Sequence, residues 1–127
     1  MFAGSKTLTK GMKVIDHIRQ AKDTLISFEI LPPLKGKTIN SIYEHLDPLM
    51  EFKPSFINVT YHRSEHVFKK KADGTFDKVE VRKRPGTVGI CAAIMNYYHV
   101  DAVPHLICGG FNKRETEDAL IDLNFIG

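Results

Sequence analysis

Apolar and polar positions along the chain change period in a regular order. Residues 8–22 carry apolar side chains at three-residue spacing, which predicts a short amphipathic helix. Residues 25–31 form an apolar run closed by two prolines, which predicts a strand. Residues 38–52 return to helical spacing, with Thr38 as the candidate N-cap and Pro48 expected to kink or shorten the helix.

The second half of the chain repeats this alternation. Residues 55–61 and 103–108 predict two more strands, and residues 87–98 predict a helix with Thr87 as its candidate cap. Asn112 precedes an acid by three residues, which is capping-box spacing, so a last helix is expected to run to Gly127.

Residues 62–86 interrupt the alternation. Asp73-Gly74 is a strong hairpin-turn signal, and the stretch after it alternates valines with charged residues. We therefore predict a two-stranded hairpin at the surface.

The order of elements is a helix followed by three strand–helix units, which favours an α/β fold with a parallel sheet and crossover helices. Parallel sheets need cover on both faces, and a (β/α)8 barrel needs about 250 residues. We therefore expect residues 1–127 to be the N-terminal portion of one (β/α)8 TIM-barrel domain, incomplete at its C-terminus. This portion would hold the first three βα units, a preceding N-terminal helix and a β-hairpin excursion after strand 2.

Composition places the chain among ordinary soluble proteins, with 43% hydrophobic and 26% charged residues. No membrane span or secretory signal is evident, and two cysteines are too few for a disulfide framework, so a cytoplasmic location is expected. Cys91 and Cys108 both lie in apolar stretches and are expected to be buried. The net charge of +3 is too small to indicate nucleic acid by itself.

Each predicted strand places a polar residue opposite its apolar face, near its carboxyl end. Side chains alternate between the faces of a strand, so Glu29, Thr60 and His105 would point into the lumen of a barrel and meet at its mouth. Taken singly, each has a structural explanation: an edge glutamate, a satisfied core histidine, and a threonine that favours strands. The shared phase of three strands favours a common site.

Three stretches, SFEILPP, FINVTY and AVPHLIC, resemble the methylenetetrahydrofolate reductase family, whose typical stretches are close to SFEFFPP, FVSVTYG and PHLTC. The resemblance covers roughly residues 13–127. It implies a (β/α)8 flavoprotein that passes a hydride from NADH or NADPH through FAD to methylenetetrahydrofolate, giving methyltetrahydrofolate for methionine synthesis. It implies no metal, and partners limited to folate and a nicotinamide nucleotide, without nucleic acid or membrane.

Carried over by position, the resemblance implies that Glu29 is the catalytic acid. It also implies that Thr60 and Tyr61 line the flavin and nicotinamide site, and that His105 contacts FAD. A carboxyl that donates a proton near neutral pH must retain that proton, and burial favours the protonated form.

The chain departs from the family after Tyr61, where a longer, strongly basic segment replaces a glycine-rich turn. This excursion is either a lid or grip for anionic groups or a solvated surface hairpin. The Arg-Gly-Asp loop of the family, beyond its fourth strand, has no counterpart here. We therefore expect residues 1–127 alone to bind FAD poorly and to be inactive, and the complete protein to be a homo-oligomer.

Three other interpretations remain open at this point. Residues 62–66 match the zinc-protease pattern H-x-x-E-H, which requires both histidines on one helix. Residues 62–84 combine basic residues with two phenylalanines, as in a nucleic-acid-binding module. Gly109-Gly110 could hold a phosphate, although a plain turn is the simpler interpretation.

Overall fold

The computed structural model describes residues 12–127, and its elements follow the predicted order. The elements are α1 Val14–Gln20, β1 Ser27–Ile30, α2 Asn40–Leu46, a 3-10 helix Asp47–Phe52, β2 Phe56–Val59, β3 Glu65–Lys70, β4 Phe76–Val81, α3 Thr87–Tyr98, β5 Asp101–Pro104 and α4 Lys113–Ile126. The part of the first predicted helix before residue 12 lies outside the described residues.

The strands form two separate sheets. β1, β2 and β5 are parallel, with β2 in the middle, while β3 and β4 form an antiparallel hairpin. The predicted parallel sheet and the hairpin after its second strand are therefore confirmed. The arrangement is an α/β fold consistent with part of a TIM barrel.

The hydrophobic core lies between one face of the parallel sheet and helices α2 and α3. Its buried members are Ile42, Leu46, Ile57, Val59, Ile90, Cys91 and Ile94. Full burial of one aliphatic side chain stabilises the folded state by about 1.5–3 kcal/mol, so this face fixes α2 and α3 against β2. The alternating residues of the strands consequently point to the opposite face.

Proline has the predicted effect on the second helix. α2 ends at Leu46, and Pro48 lies at the start of the 3-10 helix that continues the chain. The prediction that Thr38 caps this helix is wrong, because the N-cap residue is Ile39. Thr38 instead contributes its carbonyl oxygen, which accepts hydrogen bonds from the amide and the hydroxyl of Ser41 at 3.2 and 2.7 Å.

The other two predicted caps have different outcomes. Thr87 is the first residue of α3 and is buried, while Gly86 occupies the N-cap position, so the prediction for Thr87 is wrong. Asn112 caps α4 as predicted. Its side-chain oxygen accepts from the amide of Glu115 at 2.9 Å, and the Glu115 carboxylate accepts from the amide of Asn112 at 2.8 Å.

The third parallel strand is displaced from its predicted position. β5 covers Asp101–Pro104 rather than residues 103–108, because these four residues are the ones that pair in register with Phe56–Val59 of β2. The apolar run after Pro104 resembles a strand, but β2 ends at Val59, so the ladder continues by just one bond, from the His105 amide to the Val59 carbonyl. Cys91 is buried as predicted, whereas Cys108 follows the strand and is exposed, so the prediction for Cys108 is wrong.

Candidate functional site

The candidate site lies at the carboxyl ends of the three parallel strands. The amide of Thr60 donates to the carbonyl of Ile30 at 3.0 Å, and the amide of His105 donates to the carbonyl of Val59 at 2.9 Å. These bonds extend the sheet ladder by one residue beyond each strand. The backbone positions of Thr60 and His105 are therefore fixed by the sheet rather than by flexible loops.

Glu29 and His105 meet over the middle strand. Parallel neighbours in register share a face, so Glu29, Asn58 and Val103 point the same way, and His105 follows in phase. The Glu29 Oε2 and His105 Nε2 atoms are 4.0 Å apart, although Glu29 lies on one outer strand, β1, and His105 directly follows the other, β5. The predicted convergence of an acid and an imidazole on this face is therefore present in the structure.

Both side chains of this pair remain open to solvent. The Glu29 side chain is 61% exposed and that of His105 is 39% exposed. Residues 12–127 thus do not supply the burial that a proton-retaining carboxyl requires. The contact is an ion pair only when His105 is protonated, and an ion pair this exposed contributes little to stability, about 0.2–1 kcal/mol.

Thr60 is turned toward β1. Its hydroxyl donates to the carbonyl of Ile30 at 3.1 Å, so this carbonyl accepts both the amide and the hydroxyl of the same residue. A hydroxyl oxygen also carries lone pairs that can accept a further bond. Thr60 therefore links the end of β2 to Ile30, the residue after Glu29 on β1. Its hydroxyl oxygen can still accept a hydrogen bond from a group bound at the candidate site.

Tyr61 forms part of an aromatic contact beside the site. Its ring meets that of Phe111 edge to face, with centroids 4.7 Å apart and planes at 80°. Phe111 lies in the connection between β5 and α4, so this pair links the ends of β2 and β5. Nothing in the sequence marks Phe111, because the contact depends on how the two loops cross.

The hairpin is anchored at the same edge of the sheet. The amide of Lys35 donates to the carbonyl of Lys83 at 2.8 Å, and the Arg84 guanidinium donates to the carbonyl of Pro32. The Lys83 ammonium lies 2.5 Å from the Glu65 carboxylate, and its hydrogen bond and charge lower the pKa of Glu65. These contacts, which sequence reasoning missed, fix the base of the hairpin beside the loop that follows β1.

The zinc-protease interpretation fails on local geometry. His62 precedes β3, and Glu65 and His66 are the first residues of that strand, where successive side chains point to opposite faces. The motif needs both histidines on one face of a helix. Gly109-Gly110 forms a plain turn, in which the amide of Gly110 donates to the carbonyl of Ile107 at 3.0 Å.

A second polar pair lies at the opposite end of the sheet. His17 Nε2 of α1 and Asp101 Oδ2 of β5 are 2.6 Å apart and mostly buried, and the His17 ring is 6.4 Å from that of Phe56. This contact holds α1 at the amino ends of the strands, away from Glu29. Sequence periodicity cannot reveal it, because the two residues are far apart in the chain.

Comparison with known proteins adds an independent observation. The family model for methylenetetrahydrofolate reductase matches residues 13–127. The chain belongs to the methylenetetrahydrofolate reductase family. The resemblance carried by its three strand motifs is thus confirmed.

Two curated relatives are much longer than this chain. A probable methylenetetrahydrofolate reductase (NADPH) of Caenorhabditis elegans is 24% identical over 102 residues, covering 80% of this chain and 14% of the relative. Methylenetetrahydrofolate reductase (NADH) 1 of Arabidopsis thaliana is 25% identical over 112 residues, covering 86% of this chain and 16% of the relative. The chain therefore spans about a seventh of the length of these relatives. No solved structure matches the chain.

None of the helices between residues 12 and 127 is both long enough and apolar enough to cross a bilayer.

Proposed function

We propose that residues 1–127 form the N-terminal portion of one (β/α)8 catalytic domain. In the complete protein, this domain would reduce 5,10-methylenetetrahydrofolate to 5-methyltetrahydrofolate with NADH or NADPH. The meeting of Glu29 with His105 at the carboxyl ends of parallel strands carries the proposal, because barrel enzymes hold their catalytic groups at this end. Family membership supports the substrate. The two relatives are named for different nucleotides, so their names favour neither donor.

Glu29 would act as the general acid on the folate. Protonation of the substrate nitrogen helps the methylene bridge to open to an iminium, which then accepts a hydride. Glu29 can reach a bound substrate because its carboxyl is exposed on the open face of the sheet, on a strand that is itself fixed by the ladder to β2. Elements that complete the barrel would cover this face and favour the protonated carboxyl.

The residues at this edge fit one wall of a flavin site. His105 presents an accessible imidazole and the Thr60 oxygen can accept a hydrogen bond, while the ring of Tyr61, the next residue in the chain, packs edge to face against Phe111. FAD, when bound, would supply the hydride chemistry between nicotinamide and folate. The role of these side chains would be to bind and orient, and that of Glu29 to move a proton.

The test is Glu29→Gln in the complete protein, measured in two half-reactions. Glutamine keeps the shape of the side chain but cannot donate a proton as an acid does, so folate reduction should fall about 100-fold or more. Reduction of the flavin by NADH or NADPH should survive. Glu51→Gln, an exposed acid at the end of the 3-10 helix, is the matched control and should leave both half-reactions unchanged. Equal loss of both half-reactions, or undiminished folate reduction, would contradict the role of Glu29.

A further inference from the structure

The β3–β4 hairpin presents two chemically different faces. The strand register and the alternation of side chains assign each residue to a face. We call one of them the basic–aromatic face; it consists of His66, Phe68, Lys70, Phe76, Lys78 and Glu80. The other face carries the three valines of the hairpin, which are partly buried.

The aromatic and basic residues of this face alternate in both directions. Phe68 is paired across the strands with Lys78, and Lys70 with Phe76, so each ring has a lysine as its direct neighbour. The two phenylalanines are therefore diagonal neighbours, about 7–8 Å apart. They are 68% and 61% exposed, which is unusual for two large apolar rings on one small surface.

Positive charge is concentrated on the same segment. Residues 62–84 hold eight of the 18 Lys and Arg residues of the chain and four of its 15 acids. Two of these acids are neutralised within the segment, Asp77 by Lys71 at 2.7 Å and Glu65 by Lys83 at 2.5 Å. Lys70 and Lys78 have no ion-pair partner among residues 12–127, and Glu80 is the single acid on their face.

The shape of this face favours an extended ligand over a compact one. Small molecules bind in concave sites that bury most of their surface, whereas a two-stranded ribbon offers a flat, exposed face. An acidic peptide would match the lysines but would leave both rings without a stacking partner. Single-stranded nucleic acid supplies both a flat base for each ring and a phosphate for each lysine.

We propose that the basic–aromatic face binds single-stranded nucleic acid, with bases stacked on Phe68 and Phe76 and phosphates beside Lys70 and Lys78. The hairpin is preorganised for this, since the contact between Lys35 and Lys83 ties its base to the loop after β1. The proposal goes beyond the reductase function, because it involves neither Glu29 nor a flavin.

Fluorescence anisotropy of a labelled oligouridine with the 127-residue chain tests the proposal. Phe68→Ala and Phe76→Ala should each weaken binding about 5- to 150-fold, because each removes one stacking platform. Lys70→Gln and Lys78→Gln should each make the salt dependence shallower, by about 0.7 in the slope of log affinity against log salt. Glu80→Gln removes the opposing charge and should tighten binding.

Two matched controls separate this face from general stickiness. Phe125, on α4, is 89% exposed, so Phe125→Ala removes a ring that is even more accessible than Phe68 and Phe76. Lys69 lies on the other face of β3, so Lys69→Gln removes a hairpin charge without touching the basic–aromatic face. Both variants should bind nearly as tightly as the unaltered chain.

Several results would overturn the proposal. These are no binding by the unaltered chain at low salt, equal losses in the control variants, or equally tight binding of an oligoglutamate peptide or of anionic lipid vesicles. Circular dichroism of each variant confirms that the exposed substitutions leave the fold intact. Since neither folate nor flavin is present, failure here leaves the Glu29 experiment unaffected.

Discussion

Replacing Thr60 by valine separates a structural role of its hydroxyl from a cofactor-binding one. Valine has nearly the same shape and also favours strands, so the substitution removes the hydroxyl with little other change. In the structure, that hydroxyl donates to the Ile30 carbonyl at 3.1 Å and is partly buried. We expect Thr60→Val to destabilise the isolated chain in the absence of any flavin.

The size of the stability loss depends on which hydrogen bonds the Ile30 carbonyl keeps after the substitution. A neutral hydrogen bond contributes about 0.5–1.5 kcal/mol net to stability. After the substitution, the carbonyl still accepts the amide of residue 60, a bond of 3.0 Å in the present structure. No buried group is left without a partner, so we expect a loss at the lower end, about 0.5–1 kcal/mol.

Urea unfolding followed by circular dichroism measures this loss as a shift of the midpoint at constant slope. Thr60→Ser keeps the hydroxyl and is the matched control, which should retain the bond to Ile30. A valine variant as stable as the unaltered chain would refute the structural role. If the stability is unchanged and the Thr60→Val variant of the complete protein loses flavin affinity, the role of the hydroxyl would be to bind the cofactor.

Two further predictions concern stability. The side chain of Asn112 caps α4 by accepting from the Glu115 amide at 2.9 Å. Asn112→Ala removes this cap and should lower the free energy of unfolding, measured in urea, by about 1 kcal/mol, whereas Asn112→Asp should lower it less. Equal stabilities of the two variants and the unaltered chain would contradict a working cap. Burial raises the pKa of Cys91 from 9.0 to about 12. The folded protein holds the thiol proton more tightly than the unfolded chain, so this contribution to the free energy of unfolding is fully present below pH 9 and is lost as the pH rises to about 12. Cys91→Val should therefore lose less stability over that range, and parallel curves would contradict the assignment.

The phase of the strands could be predicted because it is a local property. Ile57 and Val59 alternate with Asn58 and Thr60 in the sequence, and burial of the two aliphatic residues leaves only one orientation for the strand. Glu29 is then directed to the opposite face by its register with Asn58. To predict which face of a sheet a side chain lies on, one needs no knowledge of distant elements. This is why the convergence of Glu29 and His105 could be predicted.

Boundaries and caps were harder to predict because neighbouring elements decide them. The apolar run after Pro104 has the composition of a strand, but a strand exists only where a partner offers a ladder, and β2 ends at Val59. Thr38 and Thr87 have good capping chemistry, yet the N-cap of α2 lies one residue after Thr38 and the N-cap of α3 lies one residue before Thr87. Residue type gives a preference, and packing of α2 and α3 on the sheet selects the register.

The environment of Glu29 shows why the direction of a side chain and its protonation state are separate problems. The orientation of Glu29 depends on one neighbouring strand, whereas its protonation depends on every group around it. Among residues 12–127, His105 is the titratable residue within ion-pair distance of Glu29 on this face of the sheet. A nearby imidazole favours the carboxylate when it is charged, while burial favours the acid. As a proposed proton donor, Glu29 therefore needs cover from parts of the protein beyond residues 12–127, or a neutral imidazole beside it. The three strands can position this proposed acid, but they leave its side chain 61% exposed, so further elements would have to set its acidity.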